Sequence, residues 1–582
     1  MVSSFISATG VWLLPLIVYL GKVIAAPPDN VSTPIVKLDY GSFQGRVTGK
    51  LEMFLGMPFA APPIGNLRFA PPEPPIPFQG VRQATNFGSA CFQQMQPPNN
   101  HSASSSSLSV SEDCLFINVV KPAQIPPNKA LPVLFWIYGG TLISFKNSMY
   151  SIWINTTKLG GFQVGDTSLR PGDTVVSRSI ALGEPVIYVS ANYRLSALGW
   201  LAGREVKEAG IGNAGLRDQR FAMQWVQDHI KDFGVDNLDI VEFYSWGESA
   251  GAISVGAHLV VNDGNPAGLF HGAVMQSGSP LPTVDMTTKQ PVFEQLLANT
   301  RCTGSANPIA CLRAVPFDML GEAMNLSDSL SSFSSLIIPW QPTVDGDFIK
   351  RDPQVSIQKG LYAKVPFITG DCDDEGTLFS QSNTNITTNE EFLSYMKNIY
   401  FRGLVSEEQL AEVAAAYPED ITLGSPFDTG TANAITPEYK RLASVSGDLF
   451  FQAPRRFFLQ AASKTQPTFA FLFKRGKSTP DIGAAHASDL PEFYGTGTDP
   501  DFIGTDGLVN FANTGNPSLP KNPISLLSAV DWKPWSSSPT NPPILTFLDP
   551  APAISITSDT FREKAMNLLS QISLELYSSA GQ

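Results

Sequence analysis

The stretch YSWGESAGAIS, residues 244–254, is the most informative part of this sequence, because a turn of small residues separates a predicted strand from a predicted helix. Gly247 and Gly251 lie two residues before and two residues after Ser249, in the pattern G-x-S-x-G. A serine held in so sharp a turn leaves no room for large neighbours, which explains both glycines. The following helix would point backbone N–H groups at the serine and favour developing negative charge there. Ser249 is therefore a candidate nucleophile.

Apolar runs typical of buried parallel strands occur on both sides of this turn. They cover residues 131–138, 185–193, 240–246, 271–277 and 365–370. Helical patterns such as the one at 216–234 alternate with them, and an amphipathic pattern over residues 561–579 predicts a final helix. This alternation predicts an α/β fold with a large, mostly parallel central sheet flanked by helices. No internal repeat and no long linker divides the chain, so residues 27–582 are predicted to form a single domain.

A nucleophilic serine needs a base and an acid. Of the five histidines, His486 is the best candidate base, because it lies in a loop of small residues after the strand-like run at 469–473. Glu375 follows the strand predicted at 365–370 and is a candidate acid, but the spacing leaves three aspartates as competitors: Asp371, Asp373 and Asp374. The glycines of YGGT, residues 138–141, could supply N–H groups to an oxyanion.

The N-terminus and the sequons indicate an exported glycoprotein. An apolar run at 11–20 precedes Ala25 and Ala26, which predicts a signal peptide over residues 1–26. No later segment has the pattern of a membrane span, so we expect a secreted, extracellular protein without a stable membrane anchor. Glycosylation is predicted at five N-x-S/T sequons: Asn30, Asn100, Asn155, Asn325 and Asn385.

Composition and cysteine spacing exclude several classes of protein. A net charge of −13 argues against a nucleic-acid surface. The five cysteines are compatible with two local disulfides, Cys91–Cys114 and Cys302–Cys311, leaving Cys372 free and inert. No C-x-x-C or His-rich spacing indicates a metal site, so no metal is expected.

Several motifs together resemble the type-B carboxylesterase/lipase family, and within it the secreted fungal lipases and sterol esterases. They are FLGMPFAAPPIGNLRFAPP at 54–72, SEDCLFINVVKP at 111–122, the central blocks ANYRLSALGWL and GNAGLRDQRFAMQWV, and then GESAG, DEGTLF and HASDLP. The resemblance covers nearly the whole chain after the leader. It implies an α/β-hydrolase fold with insertions over the active site, whose members keep the order serine, acid, histidine.

The resemblance assigns roles to the candidates. Ser249 becomes the nucleophile and His486 the general base, and Glu375 is selected over the neighbouring aspartates. Both disulfides are supported as paired above, and Glu248 matches a family glutamate that is buried behind the site. The implied reaction is acyl transfer from an ester to Ser249 and then to water, which requires no metal or organic cofactor.

The same resemblance assigns the oxyanion donors to the backbone N–H groups of Gly140, Thr141 and Ala250. The family usually has glycine and phenylalanine where Thr141 and Leu142 stand, and a β-branched Thr141 resists positive φ, so this hole could differ in shape. Apolar residues fall near family acyl-pocket positions, although core packing explains them equally well: Leu142, Leu378, Phe379, Phe450 and Phe451. We take Leu142, Phe379 and Phe451 as substrate-binding.

The expected substrate is a small-molecule or lipid ester with an apolar acyl chain. The interval from Phe92 to Asp113, where related lipases carry a long amphipathic lid, is short and polar here, so weak interfacial activation is expected. A short-chain general carboxylesterase is the alternative within the same class. An interaction protein that keeps the fold without catalysis is the alternative of another class, and the presence of serine, acid and histidine weighs against it. A choline-ester hydrolase would need a set of aromatic faces that the sequence does not locate.

Overall fold

The computed structural model of the chain describes residues 33–95, 109–125, 131–140, 160–234, 242–497, 499–536 and 541–579. The strands within these ranges are β1 Ile35–Leu38, β2 Gly41–Gln44, β3 Arg46–Thr48, β4 Leu51–Pro58, β5 Val81–Gln83, β6 Phe116–Pro122, β7 Val133–Ile137, β8 Ile187–Ala191, β9 Phe243–Glu248, β10 Gly272–Gln276, β11 Phe367–Cys372, β12 Thr468–Phe473, β13 Pro543–Phe547 and β14 Ile554–Ser558.

The α-helices within the same ranges are α1 Asp173–Leu182, α2 Ser196–Trp200, α3 Arg204–Glu208, α4 Ala214–His229, α5 Ala250–Val260, α6 Gln290–Asn299, α7 Pro308–Ala314, α8 Phe317–Asn325, α9 Pro353–Gln358, α10 Thr377–Ser380, α11 Asn389–Tyr395, α12 Glu407–Ala416, α13 Tyr439–Gly447, α14 Ala453–Ala462, α15 Leu490–Tyr494, α16 Ile503–Thr514 and α17 Glu563–Ser579. Two π-helical segments, Met396–Tyr400 after α11 and Asp448–Gln452 between α13 and α14, interrupt the helical layer.

A single large sheet organises the described residues. Its eleven strands run in the order β14-β13-β12-β11-β10-β9-β7-β8-β6-β4-β3. The strands from β13 to β8 pair in parallel, whereas β14 at one edge and β6, β4 and β3 at the other pair antiparallel. A separate three-stranded sheet, β1-β2-β5, lies near the N-terminus. The expectation of a large, mostly parallel sheet flanked by helices is confirmed.

The middle of this sheet is buried on both faces, as parallel strands covered by helices must be. Every residue of β7, β8, β9, β10, β11 and β12 is buried. Trp136 on β7 stands opposite Trp246 on β9, and Tyr494 of α15 stacks on Trp246 with ring centroids 4.7 Å apart. These aromatic rings pack together in the buried middle of the sheet.

The apolar runs gave the parallel strands with small errors at their ends. The run at 240–246 corresponds to β9, which begins at Phe243, and the run at 365–370 corresponds to β11, which continues to Cys372. The helical pattern at 216–234 corresponds to α4, which ends at His229 and passes into a short 3-10 turn. The final amphipathic helix is α17.

Two disulfides join neighbouring segments of the described chain. Cys91 is bonded to Cys114 and Cys302 to Cys311, with S–S distances of 2.05 and 1.98 Å. Cys372 is a buried free thiol, and burial raises its pKa well above the usual range. Within the ranges described above, no helix is both long and apolar enough to cross a membrane.

Candidate active site

The candidate residues lie in loops at one edge of the sheet, where the carboxyl ends of the parallel strands meet. Ser249 directly follows β9, and Glu375 lies three residues after the end of β11. His486 lies in the loop between β12 and α15, and Gly140 lies three residues after β7. Because β7, β9, β10, β11 and β12 are consecutive in the sheet, these loops come together in space.

Ser249 occupies a strained turn between β9 and α5. Its φ of 56° and ψ of −125° are unusual for a residue with a side chain, and its N–H donates to the carbonyl of Gln276 at 2.9 Å. A Cβ on Gly251 would lie 1.9 Å from the carbonyl oxygen of Ile137, and one on Gly247 would lie 2.4 Å from the carbonyl carbon of Gly251. Both glycines are thus required by steric contact, as the motif predicted.

His486 and Glu375 form a buried hydrogen-bonded pair. The Nδ1–H of His486 donates to Oε2 of Glu375 at 2.5 Å. The other oxygen of Glu375 accepts from the Cys372 N–H and from the Ser277 hydroxyl, each at 2.6 Å. Three donors therefore hold the carboxylate in one orientation, and the carboxylate in turn fixes the ring of His486. Sequence reasoning missed Ser277, since its position after β10 becomes meaningful only when β10 lies beside β11.

The three aspartates that compete with Glu375 in sequence have other partners. Asp371 accepts from Arg455 at 2.8 Å, while Asp373 and Asp374 accept from Lys477 at 2.8 and 2.6 Å. Asp374 also accepts the backbone N–H of Ala484, which ties the loop carrying His486 to the loop after β11. None of the three aspartates contacts His486, so the geometry favours Glu375 as the acid.

Two further carboxyl groups surround the imidazole. Oε1 of Glu248 lies 3.3 Å from Nε2 of His486, and Asp489 accepts from the Gln276 amide at 2.7 Å. Burial raises the pKa of Glu248 to about 8 and that of Asp489 to about 6. Burial also disfavours the imidazolium, but Glu375, with help from Glu248 and Asp489, outweighs it and raises the pKa of His486 to about 9.

Ser249 and His486 are not hydrogen-bonded to each other. Nε2 of His486 has no hydrogen-bond partner among the described residues, and neither does either oxygen of Glu248. All three residues are largely buried, with Ser249 the most exposed at 7%. Catalytic hydrogen bonds are often long without substrate and tighten in the complex. In this state the free Nε2 faces Glu248.

Backbone N–H groups next to Ser249 remain available for an oxyanion. Ala250 is the first residue of α5, and no hydrogen bond to another described residue uses its N–H or that of Gly140. Gly140 has a φ of 121°, which a residue with a side chain rarely adopts, so the chain turns sharply here. Thr141 and Leu142, predicted as an oxyanion donor and an acyl contact, lie outside the described residues.

An apolar cavity opens at Ser249, with about 1370 Å³ of atom-free space including its mouth. Phe379 and Phe451, which the sequence analysis takes as substrate-binding, line it, and their nearly parallel rings lie 5.8 Å apart. Both rings also contact His486, at 5.0 and 4.8 Å between centroids. Phe450 lines the cavity too, whereas Leu378 packs instead in a separate small cluster with Ile482 and Ala485.

Most of the cavity wall comes from residues that the sequence did not indicate. Phe162 follows the undescribed segment 141–159, Leu330 and Leu336 follow α8, and Leu576 and Tyr577 come from α17 at the end of the chain. These residues are apolar or aromatic and far apart in sequence, so only the tertiary fold brings them together. No periodic pattern could have selected them from ordinary core residues.

Two of the five predicted sequons lie within the described residues. Asn385 is exposed, while Asn325, the last residue of α8, accepts from the Met95 N–H through its side-chain oxygen at 2.8 Å. Asn30, Asn100 and Asn155 lie outside the described residues, as does most of the interval predicted to be a short lid.

A strained serine follows a parallel strand and precedes a helix, and a histidine bound to a carboxylate lies in the loop three strands away in the sheet. This arrangement places the protein among the α/β-hydrolases. Comparison with known proteins agrees. The chain is 38% identical over 511 residues to Lipase 4 of Diutina rugosa, covering 84% of this chain and 86% of the relative. It is 33% identical over 560 residues to Secreted lipase 1 of Botryotinia fuckeliana, covering 90% and 93%.

A similarity of structure points the same way. The crystal structure of Aspergillus niger EstA matches with a TM-score of 0.76 and 25% identity, over 94% of this chain and 99% of that one. Residues 32–551 match the Carboxylesterase family, and the chain belongs to that family. The protein is thus a carboxylic ester hydrolase.

Proposed function

We propose that this protein is a secreted hydrolase of esters with long apolar acyl chains, and that Ser249, His486 and Glu375 carry out the reaction. The observation that carries the proposal is the cavity that opens at Ser249, because most of the side chains in its wall are apolar. Ligand sites of this kind bury most of an apolar ligand and orient it with few polar groups. The names of the two lipase relatives support the same substrate class.

In the first step, the hydroxyl oxygen of Ser249 attacks the ester carbonyl carbon while Nε2 of His486 takes the hydroxyl proton. The imidazolium that forms is stabilised by Glu375, which is already hydrogen-bonded to Nδ1. The tetrahedral intermediate then collapses, the bond to the alcohol oxygen breaks, and His486 gives the proton to that oxygen. The alcohol leaves, and the acyl group stays on Ser249.

In the second step, water attacks the acyl-enzyme by the same route. His486 takes a proton from water, the hydroxide adds to the acyl carbon, and the proton returns to Ser249 as the carboxylic acid departs. Negative charge on the carbonyl oxygen develops in both steps. The N–H groups of Gly140 and Ala250, with Thr141 as the third proposed donor, would stabilise it, since preorganised donors act most strongly in a site that excludes water.

Glu248 is a second buried carboxyl group beside His486, and its role differs from that of Glu375. With its pKa raised to about 8 by burial, Glu248 is mostly neutral near pH 7. A neutral carboxyl group near Nε2 avoids a second full anion in the site, so less of His486 is held as the imidazolium, which cannot accept the serine proton. We assign Glu248 a positioning and electrostatic role.

The cavity predicts a preference for longer acyl chains. Each methylene group that leaves water for an apolar wall contributes about 0.8 kcal/mol, which corresponds to about a fourfold increase in kcat/KM while the chain continues to fill the cavity. The increase should stop at the chain length that reaches the end of the cavity.

The leader over residues 1–26, a single domain over 27–582, the five glycosylation sites and secretion to the extracellular space belong to the same proposal. The name of one relative, Secreted lipase 1, supports export. Two disulfides in the described chain agree with an oxidising compartment.

The test is the initial rate of hydrolysis of p-nitrophenyl esters from acetate to palmitate, each below its solubility limit. We expect kcat/KM to rise with acyl length to a maximum at a long chain and to vanish in Ser249→Ala. Ser254→Ala, which removes another hydroxyl from α5, is the matched control and should keep the full profile. A maximum at acetate or butyrate would instead identify a short-chain carboxylesterase, and an absence of serine-dependent turnover would favour the interaction protein.

A further inference from the structure

The apolar cavity carries a positively charged side chain at a distance from the catalytic groups. Arg402 lines the cavity that Ser249 also lines. Phe401, the residue before Arg402, packs in one hydrophobic cluster with Met566 and Ile572 of α17, whereas Phe379 and Phe451, which contact His486, belong to another cluster. Arg402 therefore lies towards the end of the cavity that is formed by α17 rather than beside the serine.

Arg402 has no partner in the described part of the chain. It follows the π-helical segment Met396–Tyr400, is half-buried, and forms no hydrogen bond or ion pair with another described residue. Most other arginines that are buried in this fold are paired, as Arg455 and Arg456 are with Asp559. The guanidinium of Arg402 is therefore an exception. Because a partly buried charge without a partner is unfavourable, a bound anion would stabilise it.

The groups around Arg402 do not supply that anion. Lys289 is a basic group that donates to the carbonyl oxygen of Ile338 at 3.1 Å, and burial, with the charge of Arg402, lowers its pKa to about 7. Asp352, which influences Tyr577, already accepts three backbone N–H groups, from Thr283, Gln354 and Val355. Tyr577 also lines the cavity, and its hydroxyl, which can donate a hydrogen bond, has no hydrogen-bond partner among the described residues.

We infer that Arg402, with the Tyr577 hydroxyl beside it, binds a carboxylate at the far end of the acyl chain. The preferred substrates at the matching chain length are then half esters of long dicarboxylic acids, with the ester carbonyl at Ser249 and the free carboxylate at Arg402. This inference rests on the proposed function, because it places the acyl chain in the cavity that opens at the nucleophile.

The physical reason is the difference between a charged and a neutral chain end. A carboxylate that meets a guanidinium forms charge-assisted hydrogen bonds, which are stronger than those between neutral groups. A methyl-terminated chain of the same length leaves the guanidinium without a partner and gains only the burial of its methylene groups. The preference for the half ester over the diester therefore occurs at the chain length where the carboxylate reaches Arg402. It disappears for chains that are too short to reach this residue.

The experiment compares matched methyl esters over a range of chain lengths, using the whole protein. At each length, kcat/KM is measured for the monomethyl half ester and for the dimethyl diester of one dicarboxylic acid, below the concentration at which either aggregates. The two substrates share their chain and differ in one charge. The same series is measured for Arg402→Met, which keeps the length of the side chain, and for Arg402→Lys, which keeps its charge.

We expect the wild-type protein to prefer the half ester roughly tenfold or more at one long chain length and to prefer the diester at short ones. Arg402→Met should abolish that preference, Arg402→Lys should retain part of it, and p-nitrophenyl butyrate, which is too short to reach Arg402, should be hydrolysed equally by all three.

Two results would overturn the inference while leaving the proposed function intact. One is a wild-type protein that hydrolyses long diesters readily but never prefers the half ester. The other is a half-ester preference that survives in Arg402→Met, which would place the carboxylate elsewhere. If the wild-type protein hydrolyses none of the esters, including butyrate, the proposed function fails together with the inference.

Discussion

Replacing Glu375 by glutamine tests how the buried pair organises the histidine. One oxygen of Glu375 accepts from two donors, the Cys372 N–H and the Ser277 hydroxyl, and the other accepts from His486 Nδ1. The oxygen of a glutamine amide must take the position that receives two donors. Its NH₂ group then faces Nδ1, so that the imidazole carries its proton on Nε2 and cannot accept one from Ser249.

The size of the effect follows from losing both the correct tautomer and the charge that stabilises the imidazolium. The equivalent change in a serine protease lowers kcat about 10⁴-fold, which corresponds to about 5.5 kcal/mol of transition-state stabilisation. We expect a fall of the same order here for Glu375→Gln. The fold should tolerate the change, because the amide keeps the shape of the side chain and its contacts with both donors.

The assay is kcat for p-nitrophenyl butyrate, together with the thermal midpoint of each variant. The matched control is Asp373→Asn, which removes a carboxylate two residues away that is held by Lys477 and does not contact His486. The control should stay within a few-fold of the wild-type kcat. A Glu375→Gln variant that folds normally and keeps more than about a tenth of the wild-type kcat would refute the reasoning about the tautomer.

Three other predictions follow from the same structure. Only the neutral imidazole can act as a base, and Glu375 and Glu248 raise the pKa of His486 to about 9, so kcat/KM should rise with pH into the alkaline range. Glu248→Gln should move that rise to lower pH. An unmoved pH profile would contradict the role of Glu248. Ile253 and Ala257 both line the cavity and lie one turn apart on α5, about 6 Å along the helix axis, with Ile253 nearer to Ser249. Ile253→Trp should therefore shorten the preferred acyl chain more than Ala257→Trp does. Both variants should still hydrolyse acetate, and the ester series measures both effects. Asp559 is buried and pairs with Arg455 and Arg456, so Asp559→Asn should lower the free energy of unfolding, measured by denaturant titration, by about 3–5 kcal/mol. Glu407→Gln, which breaks the exposed pair between Lys397 and Glu407, is the control and should lower it by less than about 1 kcal/mol.

Local patterns in the sequence predicted the parts of the molecule that local chemistry determines. The serine turn could be read because Gly247 and Gly251 are needed for steric contacts that any residue with a side chain would violate. The buried parallel strands could be read because both of their faces are covered, which produces continuous apolar runs such as the one at β7. The antiparallel strands β3, β4 and β6 were not predicted, since their shorter and mixed patterns give a weaker signal.

Features that depend on long-range packing could not be predicted in this way. The spacing around Glu375 left four carboxyl groups as candidates, and only their partners, Arg455 and Lys477 among them, separate the aspartates from the acid. Ser277 and Tyr577 reach the site from a neighbouring strand and from the last helix. Their positions in the sequence carry no pattern that distinguishes them from other serines and tyrosines.

Thr141, one of the three proposed oxyanion donors, stands where the family usually has glycine. Gly140 keeps the positive φ that lets the chain turn, and Ala250 keeps an N–H free of partners among the described residues. Two of the three proposed donors therefore have the backbone environment that their role requires.

The measurement that tests the central claim most directly is the site of covalent modification by a long-chain p-nitrophenyl alkylphosphonate, which mimics the tetrahedral intermediate. The intact protein would be weighed by mass spectrometry after the reaction, and the modified peptide would be sequenced. The account predicts one adduct per chain, on Ser249, together with the loss of ester hydrolysis, and no adduct in Ser249→Ala. An adduct on another residue that abolishes hydrolysis while Ser249 stays unmodified would contradict the account.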